Sequence, residues 1–190
     1  MTTKTSELLA AAAPRTVTVV RGISEDQLDL PTPCPDYCVR DLLNHLYDVV
    51  VNFQALARKG EVDWSAKNDH LTEGWRDRFE AETVRLVEAW SEPGALEGVS
   101  AGMGLPQETV GDMALTDLTV HAWDLARATG QRLEVESEVL AALHGFMDRM
   151  GATGQRMGAF GEAVPTGPEA TDLDRLLGRT GRDPGWVPAS

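Results

Sequence analysis

The sequence predicts an all-α protein of one domain. Three observations carry that reading. Apolar residues recur at helical spacing through several segments of about 20 residues, or roughly 30 Å. Glycine and proline gather mostly between those segments. No stretch shows sustained period-2 alternation flanked by turn residues. A chain of 190 residues, 42% of them hydrophobic, can bury its own core and has the usual size of a single domain, so residues 1–190 are read as one unit. There is no internal repeat and no low-complexity tract.

Residues 5–20 are rich in Ala, Leu and Val and read as a first helix, its second half weakened by Pro14 and the β-branched run at 16–20. Pro31, Pro33 and Pro35 then force an extended connector. From 39 to 58, apolar residues at 39, 42, 43, 46, 49, 50, 53, 56 and 57 define a strongly amphipathic second helix. A third covers 71–90, with Trp75, Phe79, Leu86 and Trp90 on one face and Pro93-Gly94 as its stop. Residues 98–106 form a glycine-rich loop, and a fourth helix follows over 108–129, closed by Gly130. A fifth covers 136–150. The rest is an irregular tail dense in Gly and Pro, except where Thr171 can cap a short helix with Asp174 at the capping-box position.

Acidic residues outnumber basic ones 30 to 17, for a formal charge of -13. Such a field repels phosphate backbones and anionic headgroups, which argues against nucleic acid and membrane surfaces as partners. No apolar run approaches the roughly 18 residues that cross a bilayer. The first residues lack the basic start, apolar stretch and cleavage site of a secretory signal. Two cysteines, Cys34 and Cys38, are too few for a disulfide framework. A cytoplasmic protein is the expectation.

The fourth helix carries the chemistry. Projected at roughly 100° per residue, it separates two polar stripes. Asp112, Thr116, Thr119, Trp123 and Arg127 form one, read as the solvated side with Trp123 as its anomaly. Asp117, His121 and Asp124 form the other, flanked by apolar residues and so expected to face the bundle interior. A buried carboxylate costs several kcal/mol unless it is paired, hydrogen-bonded or metal-bound. The spacing Asp117-x3-His121 sets an oxygen and a nitrogen donor one turn apart on one face, within reach of one ion. Asp124, on the following turn, can accept the other imidazole N–H and fix the tautomer. His45 stands at the border of the second helix's apolar face and supplies a third N/O donor from a facing helix, which leaves coordination positions open for water or substrate. The alternative is a metal-free bundle in which these residues form a structural Asp/His cluster. His70 and His144 lack acidic or histidine company on their helices and are read as surface or core residues.

Two further signals are weighed and set aside. Gly98-Val-Ser-Ala-Gly102 matches the G-x-S-x-G pattern of serine hydrolases, but that motif needs a strand-to-helix turn that this sequence does not provide. The loop can still border the site. Cys34, Cys38 and His45 do not make a structural zinc site without a second half-site. Cys38 is read as a small residue at a helix start and a poor cap; a thiol acidified by the helix N-terminus is the alternative.

Several stretches together, Thr32-Pro-Cys-Pro-Asp36, Val39-Arg-Asp-Leu-Leu-Asn-His45, the run from Val120 to Gln131, Leu176-Leu-Gly-Arg179 and Arg182-Asp-Pro-Gly-Trp186, resemble the DinB-like metal-binding superfamily. The branch they resemble is the actinobacterial one related to the N-terminal domain of mycothiol-dependent maleylpyruvate isomerase. The resemblance implies a four-helix bundle with extra short helices, and a metal held by a histidine on one helix and an acid-x3-histidine pair on another, which map onto His45, Asp117 and His121. In the isomerase the acid is glutamate, whereas this chain has the shorter Asp117. The isomerase also draws a basic catalytic residue from a further C-terminal domain, so its activity does not transfer directly. The implied cofactor is a divalent ion, Zn2+ or alternatively Ni2+, and the implied cosubstrate is a small thiol such as mycothiol. The function expected is that of a thiol-dependent transferase or isomerase acting on a small organic substrate. A non-catalytic metal-binding module, dimeric through exposed helix faces around Trp123, is the second reading.

Overall fold

The structure, a computed structural model, describes residues 4–66 and 68–188. Six α-helices occur in it: α1 (Thr5–Arg21), α2 (Val39–Ala57), α3 (Trp75–Ser91), α4 (Gln107–Ala128), α5 (Ser137–Arg156) and α6 (Asp172–Arg179), with a 3-10 turn at Glu25–Gln27. No strand occurs among the described residues; two isolated bridges, Pro31 to Cys38 and Val99 to Pro106, are the only β pairing there. Among the described residues no helix is long and apolar enough to cross a membrane.

Helices α1 to α4 form the bundle. Around its ring the order is α1, α4, α2, α3, since α4 and α3 each pack against both α1 and α2. Gln107, at the start of α4, donates to the carbonyls of Leu56 and Ala57 at the end of α2, so these two helices run antiparallel. The same amide satisfies acceptors that a helix C-terminus leaves without intrahelical donors. Leu9, Leu42, Leu46, Phe53, Phe79, Leu86, Trp90, Leu115 and Leu118 are fully buried in a single core. Helices α5 and α6 lie outside the ring: α5 packs against α4, α1 and α6, and α6 meets α4 through Leu177.

Several boundaries differ from expectation for identifiable reasons. The β-branched end of α1 stays helical because Thr16, Val19 and Val20 are buried, with Thr16 Oγ1 donating to Leu118 O at 3.2 Å. Helix α3 begins at Trp75 rather than 71: Gly74 is left-handed (φ 72), and Arg78 reaches back to the carbonyls of His70, Glu73 and Thr72, holding the approach in a non-helical path. Helix α5 extends past residue 150 to Arg156, and the chain then folds back so that the Phe160 ring occupies the space a Cβ on Gly154 would need. The short α6 has the predicted cap: Asp174 N donates to Thr171 Oγ1 at 3.1 Å, and Thr171 N to Asp174 Oδ2 at 2.9 Å.

The larger correction concerns α4. The stripe read as solvated is buried at Asp112, Thr116, Thr119 and Trp123; only Arg127 is exposed. Helix α1 covers one side of it, and α6 covers Trp123, which packs with Val120 and Leu177 in a second small cluster. The buried hydroxyls satisfy themselves along their own helix, Thr116 to Asp112 O at 2.7 Å and Thr119 to Leu115 O at 2.8 Å. A central helix in contact with neighbours on several sides has no wet face, whatever its polar pattern. Trp123 is therefore not the exposed dimer anchor that the sequence offered.

Candidate metal centre

Helices α2 and α4 present the predicted residues to one cavity. On α4, His121 and Asp117 lie one turn apart, with His121 Nε2 3.9 Å from Asp117 Oδ1. On α2, His45 turns inward from the border of the apolar face, and its ring meets that of His121 edge to face, centroids 5.1 Å apart and planes at 88°. Tyr37 stacks on the other side of His45 at 5.4 Å. All three predicted donors line a cavity of about 500 Å³ whose other walls include Val49, Phe53, Met103, Met113 and Phe160. Met103 comes from the glycine-rich loop, which thus borders the site as expected. Ser100 in that loop is buried and does not line the cavity.

The orientation of His121 is set from behind. Its Nδ1 lies 3.0 Å from Asp124 Oδ2, and Asp124 is completely buried. Arg182 approaches the same carboxylate from the C-terminal tail, donating from Nη2 to Oδ2 at 3.0 Å and from Nε to Oδ1 at 3.4 Å. A third bond, from Arg182 Nη1 to Thr180 O at 3.1 Å, holds the guanidinium in place.

Electrostatics distinguish the donors. Burial, reinforced by the proximity of His121, pulls the His45 imidazole down to about 4, so it is neutral and carries a free lone pair at physiological pH. Burial pushes the Asp117 carboxyl up, against the pull of His121 and Arg182 in the other direction. Its side chain nonetheless keeps 32% of its surface accessible, through the cavity. Neither Asp117 nor the ring nitrogens of His45 have a hydrogen-bond partner among the described residues. With Arg182 committed to Asp124, two carboxylates share one close cation.

These observations test whether the residues present suit a divalent ion. The donor set is right for Zn2+ or a similar ion, and the unsatisfied donors face open space. Convergence is incomplete: among the described residues no three His, Cys, Asp or Glu side chains already close on one point. The 3.9 Å between Nε2 and Oδ1 compares with about 3.3 Å between neighbouring donors of a tetrahedral ion with bonds of about 2.0–2.1 Å.

The other predictions resolve simply. His70 stacks on Tyr47 at 4.1 Å and its Nε2 lies 2.7 Å from Asp48, while His144 Nε2 lies 3.1 Å from Asp172 O; both are occupied by structural contacts. Cys38 is the residue preceding α2, and Asp41 accepts from both its backbone N–H (3.3 Å) and its thiol (3.0 Å). Burial and that carboxylate push its thiol up, so the acidified-thiol alternative does not hold. Cys34, Tyr37 and Arg182 also stand in the cavity wall, with no role given to them from sequence. Cys34 and Tyr37 are placed by Thr32, whose hydroxyl contacts the carbonyls of both at 2.9 and 2.8 Å and thereby shapes the proline-rich connector. Burial pushes the Cys34 thiol up, with Arg182 opposing. For Arg182 the signal was its place in the tail motif beside Pro184 and Trp186, but the sequence does not reveal its partner.

Known proteins place this geometry in context. An uncharacterized protein of Mycobacterium tuberculosis, found in two strains, is 29% identical over 182 residues, covering 86% of this chain and 91% of the relative. The crystal structure of the mycothiol-dependent maleylpyruvate isomerase superposes with a TM-score of 0.59 at 16% identity, over 79% of this chain and 71% of that one, and so shares the DinB-like helical fold. The family model described as the mycothiol maleylpyruvate isomerase N-terminal domain matches residues 9–126, a span that holds nearly all of the four-helix ring together with His45, Asp117, His121 and Asp124, and this chain belongs to that family.

Proposed function

We propose that the protein binds one divalent ion through His45, Asp117 and His121 and works as a thiol-dependent metalloenzyme, a transferase or isomerase acting on a small organic substrate. The observation that carries the proposal is the pairing of unsatisfied donors with open space: His45 and Asp117 lack side-chain hydrogen-bond partners among the described residues, His121 directs Nε2 at Asp117, and all three border one cavity. Zn2+ suits a nitrogen and oxygen set of this kind, with Ni2+ as the alternative. A bound divalent ion supplies Lewis acidity that stabilises a thiolate or polarises a substrate oxygen at neutral pH.

The chain's own residues do the rest. Burial keeps His45 neutral, so its lone pair is available without a proton to displace. Asp117 brings the negative charge that favours a cation over a water molecule. Phe53, Met113 and Phe160 form an apolar wall that limits water around the reacting groups and suits the hydrocarbon part of a substrate. The thiol we assign is mycothiol, on which the isomerase relative depends.

The test is elemental analysis of untagged protein purified without chelator, followed by thiol titration of a cobalt-substituted sample. One equivalent of metal is expected, lost in the double variant His45→Ala/His121→Ala, with a thiolate charge-transfer band appearing as thiol is added. Metal without a thiol response would favour a non-catalytic metal-binding module. No metal after reconstitution would overturn the centre altogether.

A further inference from the structure

Among the described residues, Arg182 is the one lysine or arginine that is buried. Its burial is costly unless the charge is paired and hydrogen-bonded, and the structure supplies two bonds to Asp124 and one to Thr180 O. The residue belongs to the C-terminal tail, well beyond the 9–126 span matched by the family model. The tail is fitted closely enough to hold it there. Gly181, next to Arg182, has φ +84, and a Cβ on it would come within 2.6 Å of Gly161 Cα.

The bond network has a directional consequence. An arginine is a donor only, so a carboxylate oxygen held by Arg182 stays an acceptor. Asp124, fully buried with both oxygens accepting from Arg182, can then meet His121 Nδ1 at 3.0 Å only if that nitrogen carries the proton. The remaining nitrogen, Nε2, is left with its lone pair on the cavity side, facing Asp117.

We propose that Arg182 is a positioning residue: through Asp124 it locks His121 in the Nδ1–H tautomer, so that the C-terminal tail decides whether Nε2 can act as a donor to a cation. The proposal rests on the metal-centre reading for its purpose, but the tautomer is a property of the metal-free protein. The tail thereby completes a centre whose candidate donors, and Asp124 behind them, come from α2 and α4 of the bundle.

The experiment is a long-range nitrogen–proton NMR spectrum of His121 in the metal-free full-length protein at mildly alkaline pH, with Zn2+ alone titrated into each variant. Wild type is expected to show the Nδ1–H tautomer. Arg182→Lys, which keeps the charge, is expected to retain much of it. Arg182→Met leaves Asp124 buried without its cation and is vulnerable to misfolding, so the paired variant Asp124→Asn/Arg182→Met removes both charges together. In that pair the tautomers are expected to mix and Zn2+ affinity to fall about 10–100-fold, the usual consequence of losing an outer hydrogen-bond partner of a ligand. An Nε2–H tautomer in wild type, or an unchanged Nδ1–H tautomer in the paired variant, would overturn the proposal. A tautomer that mixes as expected in a protein that takes no Zn2+ would uphold the positioning role and sink the metal centre instead.

Discussion

Two carboxylates near opposite ends of α4 look alike on first inspection. Asp112 and Asp124 are both buried, and each meets an arginine from a later part of the chain, Arg149 on α5 and Arg182 in the tail. Asp112 uses both oxygens for structure: Thr5 Oγ1 donates to one at 3.1 Å and Arg149 Nη2 to the other at 2.8 Å. Arg149 itself remains largely exposed, and neither residue lines the cavity that His121 faces. Asp124 instead passes its charge on to His121, whose second nitrogen faces open space. Buried charge is therefore not the mark of a functional site in this protein. The mark is a donor left over after the buried charge has been satisfied, with a cavity in front of it. The histidines repeat the contrast: His70 is stacked and bonded to Asp48, whereas neither ring nitrogen of His45 has a partner among the described residues.

The comparison can be broken most forcefully at Asp124. Asp124→Asn leaves Arg182 buried without its counter-charge, and a loss of about 3–5 kcal/mol is expected in urea unfolding, the usual range when one member of a buried pair is removed. A loss under about 1 kcal/mol would mean that the pair is wetter than its geometry indicates. Next comes Gly181→Ala, which places a Cβ against Gly161 in a left-handed conformation and should cost about 1–3 kcal/mol. Its decisive readout is metal content, expected to fall along with stability because Arg182 is displaced.

The smallest effect is expected at the other carboxylate. Asp112→Asn should change stability by no more than about 1 kcal/mol, because Arg149 returns to water once its partner is neutral. It should leave metal content unchanged. Its signature is in the pH dependence. Burial pushes the Asp112 carboxyl above the ordinary value of 3.8. The folded protein therefore holds that proton more tightly than the unfolded chain, and the associated stability is complete below 3.8 and is lost as pH rises through the raised value. Asp112→Asn should flatten this part of the stability curve; a curve unchanged in that window would place the carboxyl in a better solvated setting than its burial implies.

Much of this was legible in the sequence because helical periodicity and capping are local. The amphipathic pattern of 39–58 reappears almost unchanged as α2, and Thr171 with Asp174 forms the anticipated cap. The inward stripe of Asp117, His121 and Asp124 was also readable, since three- and four-residue spacing on one helix fixes which side chains share a face. The outward stripe was misread for the complementary reason. Spacing says that Asp112, Thr116, Thr119 and Trp123 lie together, but not what covers them, and α1 and α6 do.

The amino-acid sequence by itself determined the helices, their apolar faces and the chemical types of the candidate donors, because these follow from residue identity and from contacts within a turn or two of chain. Only the tertiary structure decided that His45 meets His121 across two helices, that Thr32 brings Cys34 and Tyr37 to the cavity, and that Arg182 reaches 58 residues back to neutralise Asp124. Long-range pairing of charge depends on how the elements dock, and a buried ion pair leaves no periodic trace in the segments that supply it.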